Sequence, residues 1–359
     1  MSDDGYTLAV VEYSGNLRTS SDGYNWNDAY NGYNDLNSQD WQAIAMSADG
    51  GTMVAVATTG YNAGGFYLST DSGAHWNKAV FGGSASLNLV DVAVAGSGSR
   101  LSAVASGGQV WISADAGTTW ATEPPAGITP APTVPMAPAP TPAPSASPRA
   151  WSAIASSADG ARLAATVSAG SIYTSADSGA SWTEDATAGA RNWVSIAMSA
   201  DGQRLAAVEG SVDLSYCDVS GSLWTSSDFG ASWTEQAGLG SECWRGVAMS
   251  GDGATVAAVV GEGSIWVSTD YGSSWSETSD PAGGDDDYST TYYWRAVAVS
   301  SDGTKLAAAH QYGLWTSDDS GATWSTDTSY SWSDLRDIAM SDDGYTLAGV
   351  EYSGNLRTS

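Results

Sequence analysis

The sequence predicts an all-β fold in which short four-stranded antiparallel sheets surround a common axis. Three observations support this prediction. A unit of about 40 to 50 residues recurs seven times, each unit contains short β-rich runs between Gly and Asp turns, and no stretch shows helical spacing of apolar residues. Tandem units of this length are typical of sheets arranged radially.

Each unit contains the same elements in the same order. It opens with a first strand of the pattern W-x-x-I/V-A, and an S-x-D-G turn such as Ser47–Gly50 leads to a second strand of the type LAAV. A loop of variable length precedes a third strand such as SLWTS, which ends in the pattern S-x-D-x-G-x-x-W, and a short fourth strand follows. The first strands are expected to begin near residues 41, 89, 151, 193, 244, 294 and 335.

The two ends of the chain carry the same twenty residues. Residues 1–20 and 340–359 differ only at Val10 and Gly349, so second and third strands number eight whereas first and fourth strands number seven. We therefore expect the fourth strand after Trp26 to complete the blade that begins at Leu335. The result is a single domain over residues 1–359, a seven-bladed β-propeller closed by joining N- and C-terminal strands, with one duplicate left over. Such closure removes exposed sheet edges.

The duplicate also bears on the origin of the chain. Its two copies are offset by 339 residues, and Met1 has the same register as Met46, which lies inside a unit. This pattern favours a piece of a longer tandem array, and an intact protein with duplicated ends is the alternative.

One insertion interrupts the repeats at residues 121–150. This segment is rich in Pro and Ala and contains ten of the eleven prolines, so it should be extended and solvated. Its Ala-Pro and Thr-Pro runs resemble the glycosylated segments of plant and algal wall proteins, which favours an extracellular or cell-surface location.

The S-x-D-x-G-x-x-W element is similar to the Asp-box, or BNR repeat. Complete boxes end at Trp76, Trp120, Trp182, Trp233, Trp275 and Trp324, and a box one residue short ends at Trp26. The chain thus resembles the Asp-box β-propellers, which include sialidases, sortilin-type receptor domains, xyloglucan-cleaving glycosidases and photosystem II assembly factors. The resemblance implies the fold and leaves the activity open, because this fold hosts many functions.

Composition excludes several classes of partner. The chain has 12 Lys and Arg against 40 Asp and Glu, and a net charge of −28 argues against binding to nucleic acid or to an anionic membrane. No apolar run approaches the roughly 18 residues that a membrane span requires. Cys217 and Cys243 fall in loops on the same face of adjacent units, so a disulfide is reasonable, with two free thiols as the alternative.

The candidate binding surface is the face opposite the S-x-D-G turns and the boxes. Loops of variable length fall there, and variable loops on a rigid scaffold usually carry function. Arg245, Arg295 and Arg336 follow the opening residue of three consecutive units and could together bind a carboxylate or sulfate. Pairing with nearby acids such as Glu242, Asp334 and Asp337 is the alternative. Tyr292, Tyr293 and Trp332 are further candidate contacts.

These residues favour a non-catalytic propeller that binds a protein or glycan partner, anionic if the arginines contact it. The single-ring photosystem II assembly factors are the most similar group in style, and their location makes the plastid lumen an alternative compartment. No catalytic residue, cofactor or metal site can be assigned. The competing hypotheses are a glycoside hydrolase of the sialidase or xyloglucan-cleaving kind and a structural unit of an extracellular repeat array.

Overall fold

The computed structural model describes most of the repeat region. The described residues are 8–12, 18–20, 27–28, 40–58, 65–73, 75–79, 88–122, 149–185, 187–211, 217, 219–278, 293–310, 313–326, 335–344 and 347–351. Within these ranges the chain forms 29 strands and one short 3₁₀-helix at Ala237–Leu239, and it has no α-helix. The all-β prediction is therefore confirmed for this part of the chain. The proline-rich insertion between residues 123 and 148 lies outside it.

The strands follow the predicted units closely. Near the N-terminus they are β1 (Leu8–Glu12), β2 (Arg18–Ser20), β3 (Asn27–Asp28), β4 (Asp40–Met46), β5 (Met53–Thr58), β6 (Gly65–Ser69), β7 (Asn77–Lys78), β8 (Leu89–Val94), β9 (Leu101–Gly108), β10 (Val110–Ser113) and β11 (Ala121–Thr122). The middle units contain β12 (Arg149–Ser156), β13 (Leu163–Gly170), β14 (Ile172–Ser175), β15 (Thr183–Asp185), β16 (Arg191–Met198), β17 (Leu205–Glu209), β18 (Leu223–Ser226) and β19 (Thr234–Glu235). The last units contain β20 (Trp244–Met249), β21 (Val256–Val260), β22 (Ile265–Ser268), β23 (Ser276–Thr278), β24 (Trp294–Val299), β25 (Leu306–His310), β26 (Gly313–Ser317), β27 (Ser325–Thr326), β28 (Leu335–Met340) and β29 (Leu347–Glu351).

Consecutive strands pair antiparallel into four-stranded sheets. Strands β4–β7, β20–β23 and β24–β27 form three separate sheets of this kind. Strands β8–β19 form three more, which are linked because β12 pairs with β9 and β16 pairs with β13. These links arise where β12 and β16 begin two residues before their opening tryptophans.

The hydrophobic core lies between neighbouring sheets. Trp244, which opens β20, is fully buried and packs in one cluster with Val208 and Leu223 of the preceding sheet. The box residue Trp120 likewise packs edge-to-face on Phe66 of the sheet before it, with ring centroids 4.3 Å apart. Burying large aromatic rings between sheets explains most of the tryptophans as core residues rather than as ligand contacts.

The first strands contact one another in cyclic order. Each of β4, β8, β12, β16, β20, β24 and β28 contacts the next, and β28 contacts β4. Backbone N–H groups of the turns that follow these strands donate to the carbonyl of the next turn at 2.8–3.3 Å, in the order Ala48, Gly96, Ala158, Ala200, Gly251, Ser301, Asp342 and back to Ala48. These bonds satisfy backbone groups of the turns without a ligand.

The chain ends meet in one sheet, which differs from the predicted four strands. Its order is β28-β29-β1-β2-β3, so second strands from both copies of the duplicate lie side by side. Strand β1 pairs parallel with β29 through Val11 with Val350 and Glu12 with Glu351. The two copies are nearly identical, so both suit the position beside β28, and β29 occupies it because it follows β28 closely in the chain.

Candidate functional site

The inner strands share an irregularity that determines which side chains line the centre. In all seven first strands the pairing register shifts between the opening residue and the residue two positions later, as between Trp244 and Gly246. This β-bulge leaves the intervening residue without a partner on the second strand and reorients its side chain. The bulged residues are Gln42, Val90, Ser152, Val194, Arg245, Arg295 and Arg336.

The bulged residues line a central channel formed by two adjoining cavities. One cavity of about 390 Å³ is lined by six of the seven, together with Ser106, Ser168 and Ser211 from second strands or the residues that follow them. The other, of about 300 Å³, is lined by all seven first strands and by all seven bulged residues. A channel of this size can hold a few non-hydrogen atoms of a partner's side chain, chain end or sugar unit.

The three predicted arginines are brought together in this channel. Arg245 is only 8% exposed, and its Nη1 donates a hydrogen bond to the carbonyl oxygen of Ser211 at 2.7 Å. Arg295 and Arg336 are half-buried and lie on the next two first strands. Three guanidinium groups on consecutive strands give one side of the channel a strong positive potential.

Two carboxylates lie in the same channel, and the sequence pattern had pointed to one of them, Asp337, only as a possible partner of the arginines. Asp91 and Asp337 each lie one residue after a bulged residue. Asp91 Oδ2 accepts a hydrogen bond from the backbone N–H of Ile154 at 2.7 Å, and Asp337 Oδ2 accepts one from Ile44 at 3.3 Å. Each side chain therefore joins one first strand to the next. The available signal was that the two units opening with Leu instead of Trp also carry Asp two residues later.

Burial shifts the pKa of both carboxyl groups upward. Loss of bulk solvation, together with the charge of Asp337, raises the pKa of Asp91 to about 7. Loss of solvation raises the pKa of Asp337 to about 6, against the effect of its backbone hydrogen bonds. Both groups therefore titrate close to neutral pH.

A disulfide lies beside the arginine cluster. The sulfur atoms of Cys217 and Cys243 are bonded, with their Cα atoms 5.6 Å apart. Both Cys217 Sγ and the Arg245 side chain pack closely against Gly261, where a Cβ would meet Arg245 Nε at 2.7 Å. The bond thus holds Cys217 close to the side chain of Arg245.

The Asp-box turns have a structural role, as their residues suggest. In the box ending at Trp76, Asp71 Oδ1 accepts hydrogen bonds from Ser69 Oγ and the backbone N–H of His75, both at 2.9 Å. Gly73 has φ +81°, which favours glycine, and its carbonyl accepts the indole N–H of Trp76 at 2.9 Å. The acidic residues of these turns are therefore occupied within the scaffold.

The remaining predicted contacts are only partly described. Tyr293 forms a backbone bridge with Glu262 just before β24. Tyr292 and Trp332 lie outside the described residues, as does Asp334, one of the acids proposed to pair with the arginines. Of the other two proposed acids, Asp337 lies in the channel and the backbone of Glu242 pairs with that of Gly221.

Among the described residues, no group of three or more His, Cys, Asp or Glu side chains could hold a metal ion. The same ranges contain no helix of the length and apolarity needed to cross a bilayer.

The hydrogen-bonded turns described above have the residue pattern of Asp-box repeats. The BNR-Asp box repeat model matches residues 223–236, and no curated protein matches the sequence. The chain therefore carries a BNR-Asp box repeat at these residues.

Solved structures share this fold at low sequence identity. YCF48 bound to D1 peptide is 16% identical with a TM-score of 0.57, over 81% of this chain and 83% of that one. YCF48 from Cyanidioschyzon merolae is 15% identical with a TM-score of 0.58, over 85% and 90%. The GH74 xyloglucanase from Xanthomonas campestris is 18% identical with a TM-score of 0.64, over 97% of this chain and only 55% of the enzyme. At these identities the similarity establishes the fold alone.

Proposed function

We propose that the chain is a closed seven-bladed β-propeller that binds a protein or glycan partner on its variable-loop face without catalysing a reaction. Closure is supported by the cyclic order of the first strands, by the cycle of turn hydrogen bonds and by the parallel pairing of β1 with β29. The disulfide favours an oxidising compartment, outside the cell or in a plastid lumen.

The binding proposal depends mainly on one observation, the presence of Arg245, Arg295 and Arg336 at consecutive bulges of a single channel. Guanidinium groups bind carboxylate and sulfate through paired, charge-assisted hydrogen bonds. Between them and the serines that line the channel there is space for a small anionic group. The expected partner therefore presents a carboxylate or sulfate at the end of a side chain, peptide or sugar.

The similar structure of YCF48 with a D1 peptide supports a peptide as one form of this partner. A propeller of this fold can hold an extended segment, and the direct contacts would come from the loops around the channel mouth. Tyr292, Tyr293 and Trp332 remain candidates for these contacts.

Binding can be tested with peptides and sugars that differ only in their anionic group. The panel would pair peptides having a free C-terminal carboxylate with their amidated forms, and uronic-acid oligosaccharides with their neutral analogues. We expect the wild-type chain to prefer the anionic member of at least one pair, and expect Arg295→Gln with Arg336→Gln to lose that preference. Arg204→Gln, which changes an arginine that stacks on Tyr271 outside the channel, serves as the control. Equal binding of both members of every pair would refute the proposal.

A glycoside hydrolase is the second candidate, because Asp91 and Asp337 share one cavity and the fold resembles GH74 enzymes. The cross-strand hydrogen bonds of both carboxylates favour a structural role instead. Hydrolysis assays on sialosides and xyloglucan distinguish the two functions. Turnover that is lost in Asp91→Asn or Asp337→Asn, while the variant stays folded, would replace the binding proposal with the enzymatic one.

A further inference from the structure

The channel combines groups of opposite charge in an ordered way. The arginines lie on β20, β24 and β28, whereas the carboxylates lie on β28 and β8, the two strands that flank β4. One side of the channel wall is therefore basic and the adjoining side acidic. An anionic group that enters between the guanidinium groups also comes close to Asp91 and Asp337.

We propose that anion binding in this channel is coupled to proton uptake by Asp91 and Asp337, so that the partner's anionic group binds more tightly in acidic than in alkaline solution. This inference rests on the proposed function, since it concerns the same channel. Two ionised carboxylates repel the anion, and protonation removes this repulsion while the three arginines keep their charge.

The surroundings of the two carboxylates favour this coupling. Both are held in place by backbone N–H donors of the neighbouring strand, so they cannot turn away from an anion without breaking a cross-strand hydrogen bond. Their mutual repulsion means that the pair, rather than either residue alone, takes up the proton. The raised pKa values of about 7 and 6 place the change within an easily tested range.

Other titratable groups near the channel do not explain such an effect. The same cavity is lined by the guanidinium groups of Arg245, Arg295 and Arg336, which stay charged. Strand β25, which packs against β28, carries the imidazole of His310. Burial lowers the pKa of His310 to about 4, so His310 stays neutral between pH 5 and pH 8. The second histidine of the chain, His75, lies in an Asp-box turn and is hydrogen-bonded to Asp71.

Sulfate is a suitable probe because it keeps two negative charges throughout this pH range. Sulfate affinity would be measured by isothermal titration calorimetry from pH 5 to pH 8 at constant ionic strength. At each pH, buffers of different ionisation enthalpy report the number of protons taken up. We expect the dissociation constant to fall by about tenfold or more from pH 8 to pH 5, with net proton uptake near neutral pH, because one unit of pKa change corresponds to a tenfold change in affinity.

Variants identify the groups that take up the proton. Asp91→Asn with Asp337→Asn should bind sulfate with nearly the same affinity at pH 5 and pH 8. The control His75→Gln should keep the wild-type pH dependence, since histidine is the one side-chain type that ordinarily titrates in this range. Proton uptake measured on the wild-type chain keeps the test decisive if the double variant does not fold.

The possible failures are distinguishable. Sulfate binding with a constant affinity and no proton uptake would overturn the coupling and leave the proposed anion site intact. Loss of the pH dependence in His75→Gln would also overturn it. Absence of sulfate binding at every pH would overturn both the coupling and the anion site.

Discussion

The disulfide offers a quantitative test of how the variable-loop face is held together. Changing Cys217→Ser and Cys243→Ser together removes a cross-link between residues 26 positions apart. In the chain-entropy model, freeing a loop of this length lowers the free energy of unfolding by roughly 3.5 kcal/mol. Part of the loss is expected to be local, because Cys217 Sγ and the side chain of Arg245 pack against the same residue, Gly261.

Urea unfolding followed by tryptophan fluorescence measures this loss, because the buried tryptophans report on packing between sheets. Each single variant and the wild type in reducing buffer should show losses similar to that of the double variant. The double variant should also bind sulfate more weakly than the wild type at pH 5, because the packing beside the Arg245 side chain is lost. A loss below about 1 kcal/mol, or an unchanged sulfate affinity, would refute the proposed role of the disulfide.

Two further predictions concern stability. The pKa values of Asp91 and Asp337 are raised in the folded chain, so both carboxyl groups bind protons more tightly there than in the unfolded chain. Their ionisation therefore lowers the free energy of unfolding as the pH rises from about 4 to 7. Five aspartates of S-x-D-G turns have lowered pKa values because serine hydroxyls and backbone N–H groups donate to them: Asp49, Asp159, Asp201, Asp252 and Asp302. Their contribution to stability is lost below about pH 4. Urea unfolding at several pH values should show that the free energy of unfolding is greatest near pH 4 to 5. A free energy of unfolding that rises steadily towards pH 8 would contradict this prediction. The second prediction compares two glycines with positive φ, Gly179 at +83° and Gly189 at +78°. A Cβ added at Gly179 would collide with Ile112, whereas a Cβ added at Gly189 would meet no atom within 4 Å. Gly189→Ala should therefore lower the free energy of unfolding by about 1 kcal/mol and Gly179→Ala by about 2 to 5 kcal/mol. Equal melting temperatures of the two variants would show that packing at this box is loose.

Local patterns in the sequence predicted the fold because each strand pairs mainly with its neighbours in the chain. The expected first-strand starts near residues 244, 294 and 335 match the observed starts of β20, β24 and β28. The earlier starts of β12 and β16 were not predictable in this way. They depend on pairing with a strand of the preceding sheet, which no pattern within one unit reveals.

The site was predicted less completely for a similar reason. The register of the repeats placed Arg245, Arg295 and Arg336 at equivalent positions, and the structure brings them into one channel. Asp91 was overlooked, and Asp337 was expected only as a partner of the arginines, because strict alternation would point both away from the arginine positions. The bulge instead brings both positions to the channel. The repeated register shift is a tertiary feature and leaves no clear mark on the sequence.

The sheet at the chain ends shows another limit of strand counting. Counting predicted one surplus copy of the duplicate and a four-stranded blade, whereas the structure places second strands of both copies in one five-stranded sheet. Two segments of nearly identical sequence have nearly equal energies when either of them pairs with β28, so their sequences do not determine which one does. Their connections to neighbouring strands decide instead.

A crystal structure of the chain grown with selenate tests the central claim most directly, because selenate mimics sulfate and its anomalous scattering locates it without ambiguity. The account predicts seven sheets around one axis and a selenium peak in the channel, within hydrogen-bonding distance of guanidinium nitrogens of Arg245, Arg295 and Arg336. A different number of sheets would contradict this prediction. Selenate bound elsewhere on the protein, with an empty channel, would contradict it as well.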